Sequence, residues 1–290
     1  MNSTTADTER IQSPSRRRFL RNTIATGLVF GGAYEYSYAF EANHFEVVPV
    51  DLSLHGTPKD TVGLRIGQLS DMHCDSDHAH RRTEHAVQLL LEQKPDIVFL
   101  TGDFITHNPN RWAPKCAQAL APLAGVPKGA YAIMGNHDWG PTMDPARTKY
   151  IQDSLTDVGI TVLRNTSLPI PGLSDTWVVG LDDMSFGQTD ATAALLGVPQ
   201  SAFKILLVHE PDYADMSPPG FALQLSGHSH GGQVRIPGLR PMHLPPYADK
   251  YYEGLNQSET HLVYTTRGVG TVGIPIRAFC RPEVTLITLS

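Results

Sequence analysis

Apolar positions in this chain come in short runs, and each run breaks off at a polar tip. Residues 62–70 alternate loosely between apolar and polar, the period of a strand, and end in Asp71-Met72-His73. Residues 96–101 are almost continuously apolar, as in a sheet covered on both faces, and end in Gly102-Asp103. The same pattern predicts strands over 128–134, 203–208 and 221–225. Their tips are Gly135-Asn136-His137-Asp138, His209, and Gly227-His228-Ser229-His230. Helical spacing predicts helices over 83–94, 113–123, 144–158 and 189–196, with short strands at 47–50, 160–163 and 176–181. Residues 74–82 read as a polar loop. After Gly232 the pattern turns strand-rich (233–236, 261–266, 274–279, 284–289), around an irregular Pro- and Tyr-rich loop at 237–254. Strand, polar tip, helix, repeated, is α/β order, and α/β sheets carry their sites at the carboxyl ends of strands.

The tips carry the candidate chemistry. Side chains two apart on extended backbone point to one side, so Asp71 with His73, and His228 with His230, can each face one volume. Paired imidazoles with carboxylates suit a transition metal. Composition excludes other classes. A net charge of -6 gives no reason to expect nucleic acid as a partner. Cys74, Cys116 and Cys280 are scattered with no CxxC pair, which argues against a disulfide framework or a cysteine zinc ribbon. Cys74 reads as a small buried residue or as a thiol near His73.

The N-terminus reads as an address. Ser15-Arg16-Arg17-Arg18-Phe19-Leu20-Arg21 precedes a modest apolar stretch at 24–33, and a basic run before a short apolar one is export-signal logic. It resembles a bacterial twin-arginine signal. That resemblance implies use of the twin-arginine export machinery and a periplasmic or other extracytoplasmic location. The apolar stretch is shorter than the ~20 residues that span a bilayer, and no clean cleavage site follows, so removal and retention as a membrane anchor both stay open. The chain divides into a signal or anchor (1–40), a linker or edge segment (41–61) and one domain (62–290).

Taken together, the five tips resemble the calcineurin-like metallophosphoesterases, whose signature is D-x-H, G-D, G-N-H-[D/E], H and G-H-x-H. Thr266-Arg267-Gly268-Val269-Gly270, Pro275-Ile276-Arg277 and Pro282-Glu283 are similar to the family's branch of exported bacterial phosphodiesterases. The resemblance implies an α/β fold of two mixed β-sheets packed face to face with flanking helices, four layers in all. It implies that Asp71, His73, Asp103 and His230 hold one divalent ion, and Asp103, Asn136, His209 and His228 a second, with Asp103 as the bridge. Mixed oxygen and nitrogen ligands suit Mn, Fe or Zn better than Mg or Ca.

The expected reaction is hydrolysis of a phosphodiester by a metal-bound hydroxide. The resemblance makes His137 the acid or hydrogen-bond donor to the leaving oxygen, with Asp138 its catalytic neighbour or a helix cap. A nucleotide-linked lipid pyrophosphate and a phosphomonoester are the alternative substrates. A metal-binding envelope protein with a vestigial site is the non-enzymatic alternative. The partner is thus a small phosphoester or a lipid-linked phosphate. Arg235, Arg267 and Arg277 can meet a phosphate or serve the scaffold, and His107 can line the pocket. No residue reads as a specific substrate contact.

Overall fold

The computed structural model describes residues 34–186 and 189–290, together with 22, 23, 27, 31 and 32. The twin-arginine-type run at 15–21 lies outside the described residues. Among those described, no helix is long and apolar enough to cross a membrane.

The strands are β1 (Glu46–Leu52), β2 (Arg65–Leu69), β3 (Ile97–Leu100), β4 (Ala130–Ala132), β5 (Thr161–Val162), β6 (Thr166–Pro169), β7 (Thr176–Gly180), β8 (Phe203–Leu207), β9 (Leu223–Ser226), β10 (Gly254–Gln257), β11 (Leu262–Thr265) and β12 (Glu283–Leu289). They form two six-stranded mixed sheets, β1-β12-β2-β3-β4-β5 and β10-β11-β9-β8-β7-β6. In the first, β2 to β5 run parallel and β12 is antiparallel to β2. In the second, β7, β8, β9 and β11 run parallel, with antiparallel β6 and β10 at the edges.

Strand alternation builds the layers. Ile97 and Phe99 of β3 meet Ile205, Leu207, Leu223 and Leu225 of the other sheet in one core between the sheets. Val98 and Leu100 turn the other way, under α1 (Asp77–Glu92), α2 (Pro109–Leu120) and α4 (Pro145–Asp157). The short α3 (Asn136–Trp139) precedes α4. On the far side Val179, Leu206 and Val208 pack toward α5 (Ala191–Ala194) and a 3-10 turn at Pro211–Asp215. Gln68 ties the two sheets near their carboxyl ends. Its buried amide donates to Ser226 O at 3.0 Å and to Thr101 Oγ1 at 3.2 Å.

Three departures from the sequence pattern have physical reasons. Helix α1 starts at Asp77 rather than at residue 83, because Ser76 caps it by accepting from Ala79 N at 3.0 Å. Its first turns bury Ala79, Arg82 and Thr83, which carry no apolar periodicity. The expected strands at 233–236 and 274–279 reduce to one isolated bridge, Val234–Ala278. There the Gln233 side chain takes the place of a ladder, donating to Val272 O and Ile274 O and accepting from Val272 N. Strands β6 and β10 lack an apolar stripe because they are exposed edges. The short strand expected at 47–50 is present as β1, the first sheet's edge strand, in register with β12.

Candidate metal centre

Five strands end at one rim of the sandwich and deliver their polar tips there. β2 runs into Asp71 and His73, β3 into Asp103, and β4 into Asn136 and His137 at the start of α3. From the second sheet, β8 runs into His209, and β9 into His228 and His230. The side chains gather into two buried clusters, Asp71–His73–His230 and Asp103–His209–His228, with the ligand atoms of each within 4.8 Å of one another. Each cluster draws from both sheets. Asn136 and His137 border the same cleft as Asp103, His228 and His230.

The backbone is bent to achieve this. Asp71, His73, Asp103, His228 and His230 all hold φ between 42° and 69°, a region costing a non-glycine residue roughly 1–2 kcal/mol. This changes the reason for their convergence. The ligands two apart are not on extended backbone, and His228 and His230 enter different clusters instead of sharing one side. Two glycines allow the close approach: a Cβ on Gly135 would overlap Asp103 Oδ1, and one on Gly227 would overlap Ser70 Oγ and Asp71 Oδ2.

The donor set fits a pair of cations. Asp103 Oδ2 stands 3.2 Å from His209 Nε2 and 3.6 Å from His73 Nε2, between the clusters, where a bridge belongs. His73 Nε2 lies 3.0 Å from His230 Nε2, which lies 3.3 Å from Asp71 Oδ1. Among the described residues His209 Nε2 and Asn136 Oδ1 are buried with no hydrogen-bond partner. Buried lone pairs that protein donors leave unmet are costly, and a cation relieves them. The two triads therefore fit a dinuclear metal site.

Electrostatics points the same way. Burial holds His73 down to about 3, and burial with His73 alongside holds His230 well below the imidazole range, so both rings are neutral, the form that can ligate a metal. Burial opposes ionisation of Asp103, yet His209, His137 and His73 keep its carboxyl well below the usual range.

Neighbouring groups fix which ring nitrogen faces the centre. His209 Nδ1 donates to Thr101 O at 2.6 Å and His228 Nε2 to Pro246 O at 2.9 Å. His73 Nδ1 sits 2.6 Å from Thr106 Oγ1. The Asp138 carboxylate accepts from four backbone amides, those of Asp103, Phe104, Ile105 and Gly135, at 2.9–3.0 Å. It is fully buried and points at the chain beneath Asp103, not at the cleft. His137 does line the cleft, and its amide donates to Asp103 Oδ1 at 2.9 Å.

The cleft has a volume of about 540 Å³ and an apolar wall of Val234, Met242, Pro245 and Ile274. The arginines singled out in the sequence serve the scaffold. Arg235 pairs with Glu253 at 2.9 Å, and Arg267 with Glu283 and Glu46 at 2.7 and 2.9 Å. Arg277, wholly buried, donates to the carbonyls of Arg267, Gly268 and Gly270 at 2.7–3.1 Å. Cys74 is a buried free thiol in the helix-side core. Thr106 and Pro246, which orient ligand rings, carry no sequence signal, since each acts from a loop distant in the chain.

The family model described as calcineurin-like phosphoesterase matches residues 64–232. The metallophosphoesterase YkuE of Bacillus subtilis is 34% identical over 285 residues, covering 95% of this chain and 97% of that one. The phosphodiesterase YaeI of Escherichia coli is 32% identical over 279 residues, covering 95% and 99%. A solved dimetal phosphatase from Danio rerio aligns with a TM-score of 0.47 and 11% identity, over 79% of this chain and 100% of that one.

Proposed function

The chain belongs to the calcineurin-like phosphoesterase family and is a hydrolase of phosphoric esters, and we propose that it cleaves phosphodiesters with two ions of Mn, Fe or Zn. One observation carries the reading: two buried triads meet at an open cleft, with Asp103 Oδ2 of one triad 3.6 Å from His73 of the other. A diester has two organic arms and one negative charge. The apolar wall of Val234, Met242, Pro245 and Ile274 suits the second arm better than the dianion of a monoester. The relative named a phosphodiesterase supports the same choice. Met242 and Ile274 are also largely exposed at the rim, which favours a lipid-linked phosphate as the second reading.

When bound, the ions supply Lewis acidity and a nucleophile generated from water at neutral pH. The protein's own groups do the rest. Asp71, His73, Asp103 and His230 would hold one ion, and Asp103, Asn136, His209 and His228 the other. His137, facing the cleft, donates a proton to the leaving oxygen. Asp138 is a positioning residue: by gathering the amides of 103–105 it fixes the loop that aims Asp103. The Arg16-Arg17 pair supports export by the twin-arginine route and an extracytoplasmic site of action.

Metal content and turnover test the reading together. Two ions per chain with metal-dependent cleavage of an aryl phosphodiester ahead of the matching monoester is the expected result. Two ions with monoester preference would overturn the diester assignment, and failure to bind metal after reconstitution would overturn the centre. Replacing Arg16 and Arg17 by lysine should leave the protein in the cytoplasm, and unchanged export would remove the twin-arginine claim.

A further inference from the structure

One buried cation has no place in the chemistry described so far. Arg82 lies on the inner face of α1, only 7% exposed. Among the described residues it makes no hydrogen bond and no ion pair, and its Nε is buried without a partner. An arginine is not buried bare without cause, since an uncompensated internal charge costs several kcal/mol. Burial, with Arg277 nearby, lowers its pKa to about 10, which leaves it cationic at neutral pH.

Arg82 lines a cavity of about 230 Å³, bounded also by Tyr38, His73, Asp75, His78 and Thr106 and by residues 271–275. His73 is a ligand of the metal centre, so this cavity adjoins it. The surroundings favour an anion. The cavity opens on the first turn of a sixteen-residue helix, whose N-terminal dipole is positive. His78 stands in the field of Arg82 and Arg81, and burial together with these two cations lowers its pKa. Among the described residues Asp75 is the one carboxylate lining the cavity, and its oxygens are engaged by Thr106 N, His107 N and, at 3.6 Å, the His107 ring.

We propose that the Arg82 cavity is a subsite for a phosphate-class oxyanion, separate from the phosphoryl group attacked at the metal centre. The oxyanion is either a second phosphate carried by the substrate or free inorganic phosphate. The first source rests on the phosphodiesterase reading, whereas the binding itself does not. A substrate with its second phosphate past His73 would be held by Arg82 while its ester faces His137, which gives preference for multiply phosphorylated esters without altering the reacting bond.

The test uses the metal-loaded protein with Arg82→Met and Arg82→Lys, and sulfate as the probe. Calorimetry should show a sulfate site in the wild type, besides any sulfate taken up by the metal centre, that weakens at least ~10-fold in Arg82→Met and persists in Arg82→Lys, as expected for a charge-assisted contact. Without sulfate, Arg82→Met should unfold at a higher temperature than the wild type, because a bare charge is replaced by an apolar chain of similar length. Equal sulfate binding in the wild type and Arg82→Met overturns the proposal, and so does a lower unfolding temperature for Arg82→Met, which would make Arg82 a scaffold residue.

Kinetics assigns the source. For an aryl phosphodiester bearing a second phosphate on its other arm, Arg82→Met should raise KM about 10–100-fold and leave the singly phosphorylated ester within twofold. Equal effects on both esters, with sulfate binding lost, would assign the site to free phosphate. No turnover of either ester by the wild type would tell against the phosphodiesterase reading, and the sulfate titration would still decide the role of Arg82.

Discussion

The metal centre and the Arg82 cavity meet at His73 and are built in opposite ways. On the Nε2 side of that ring, lone pairs from Asp71, Asp103, His209 and His230 crowd together with too few protein protons between them. On the other side, around a cavity that His73 and Thr106 also line, Arg82 is largely buried and has no acceptor among the described residues. One region is organised to receive positive charge and the other to receive negative charge. A phosphoester is a single object that satisfies both, because it brings its anion to the metals and can bring another to the arginine. Polar groups that a fold leaves unmet on both sides of one ring point to a ligand more directly than the satisfied arginines do. Arg277 is more deeply buried than Arg82, yet the carbonyls of Arg267, Gly268 and Gly270 fully explain it.

The comparison can be broken most severely at Asp103. Because its Oδ2 stands between the two clusters, Asp103→Asn should weaken both ions and bring turnover below detection, as measured by metal analysis beside the diester assay. Loss of only one ion would deny Asp103 the bridging position. His137→Ala should be milder and of a different kind, lowering kcat about 10²–10⁴-fold while both ions stay bound. Metal loss equal to that in the Asp103 variant would remove the acid role of His137.

Thr106→Val probes the boundary between the two regions. It deprives His73 Nδ1 of its partner, so affinity for the ion held by Asp71, His73 and His230 should fall about 10–100-fold, with the other ion little changed. Competition with a chelator distinguishes the two, and a uniform loss would mean that the hydroxyl does not act through His73.

The gentlest test is a control remote from both regions. His261 is buried just before β11, where burial lowers its pKa from 6.5 to about 4. The unfolded chain takes up that proton near pH 6.5 and the folded chain only near pH 4. The stability contribution is therefore complete above pH 6.5 and disappears as pH falls toward 4, to a total of about 3 kcal/mol at most. Denaturant unfolding between pH 7 and 4 should show a shallower loss in His261→Asn, with metal content at neutral pH unchanged. An identical slope in the variant would mean that another group governs the acid limit.

How far the sequence disclosed all this varies with the kind of information. The five tips were legible because each follows an apolar run whose strand character is local, and α/β topology sends such ends to one rim. The two-sheet architecture came from the family resemblance, and the protein has it. The geometry of convergence was not legible. Left-handed backbone at Asp71, His73, Asp103, His228 and His230 has no local code outside glycine, so alternation placed His228 and His230 together when they part. Asp138 looks like a helix cap in sequence, since its amide partners at 103–105 lie more than thirty residues away. Arg82 sits among His80, Arg81 and Glu84 and reads as one more surface charge. Only packing distinguishes it, because packing decides which face of α1 is covered.

The two clusters also have a consequence for the lifetime of the protein. Each takes ligands from both sheets, so an ion seated in either one fastens one half of the sandwich to the other. Apart from Gln68 with Ser226 and Thr101, and Glu283 and Thr285 with Tyr264 and Thr266, the inner faces meet through an apolar core. Free metal at 1,000 times its dissociation constant would add about 4 kcal/mol for a single site, a large part of the stability of an ordinary domain. Metal supply would then set the abundance of the folded enzyme as well as its turnover. A cell short of the right ion would lose the protein to unfolding and proteolysis, and would not simply store it inactive.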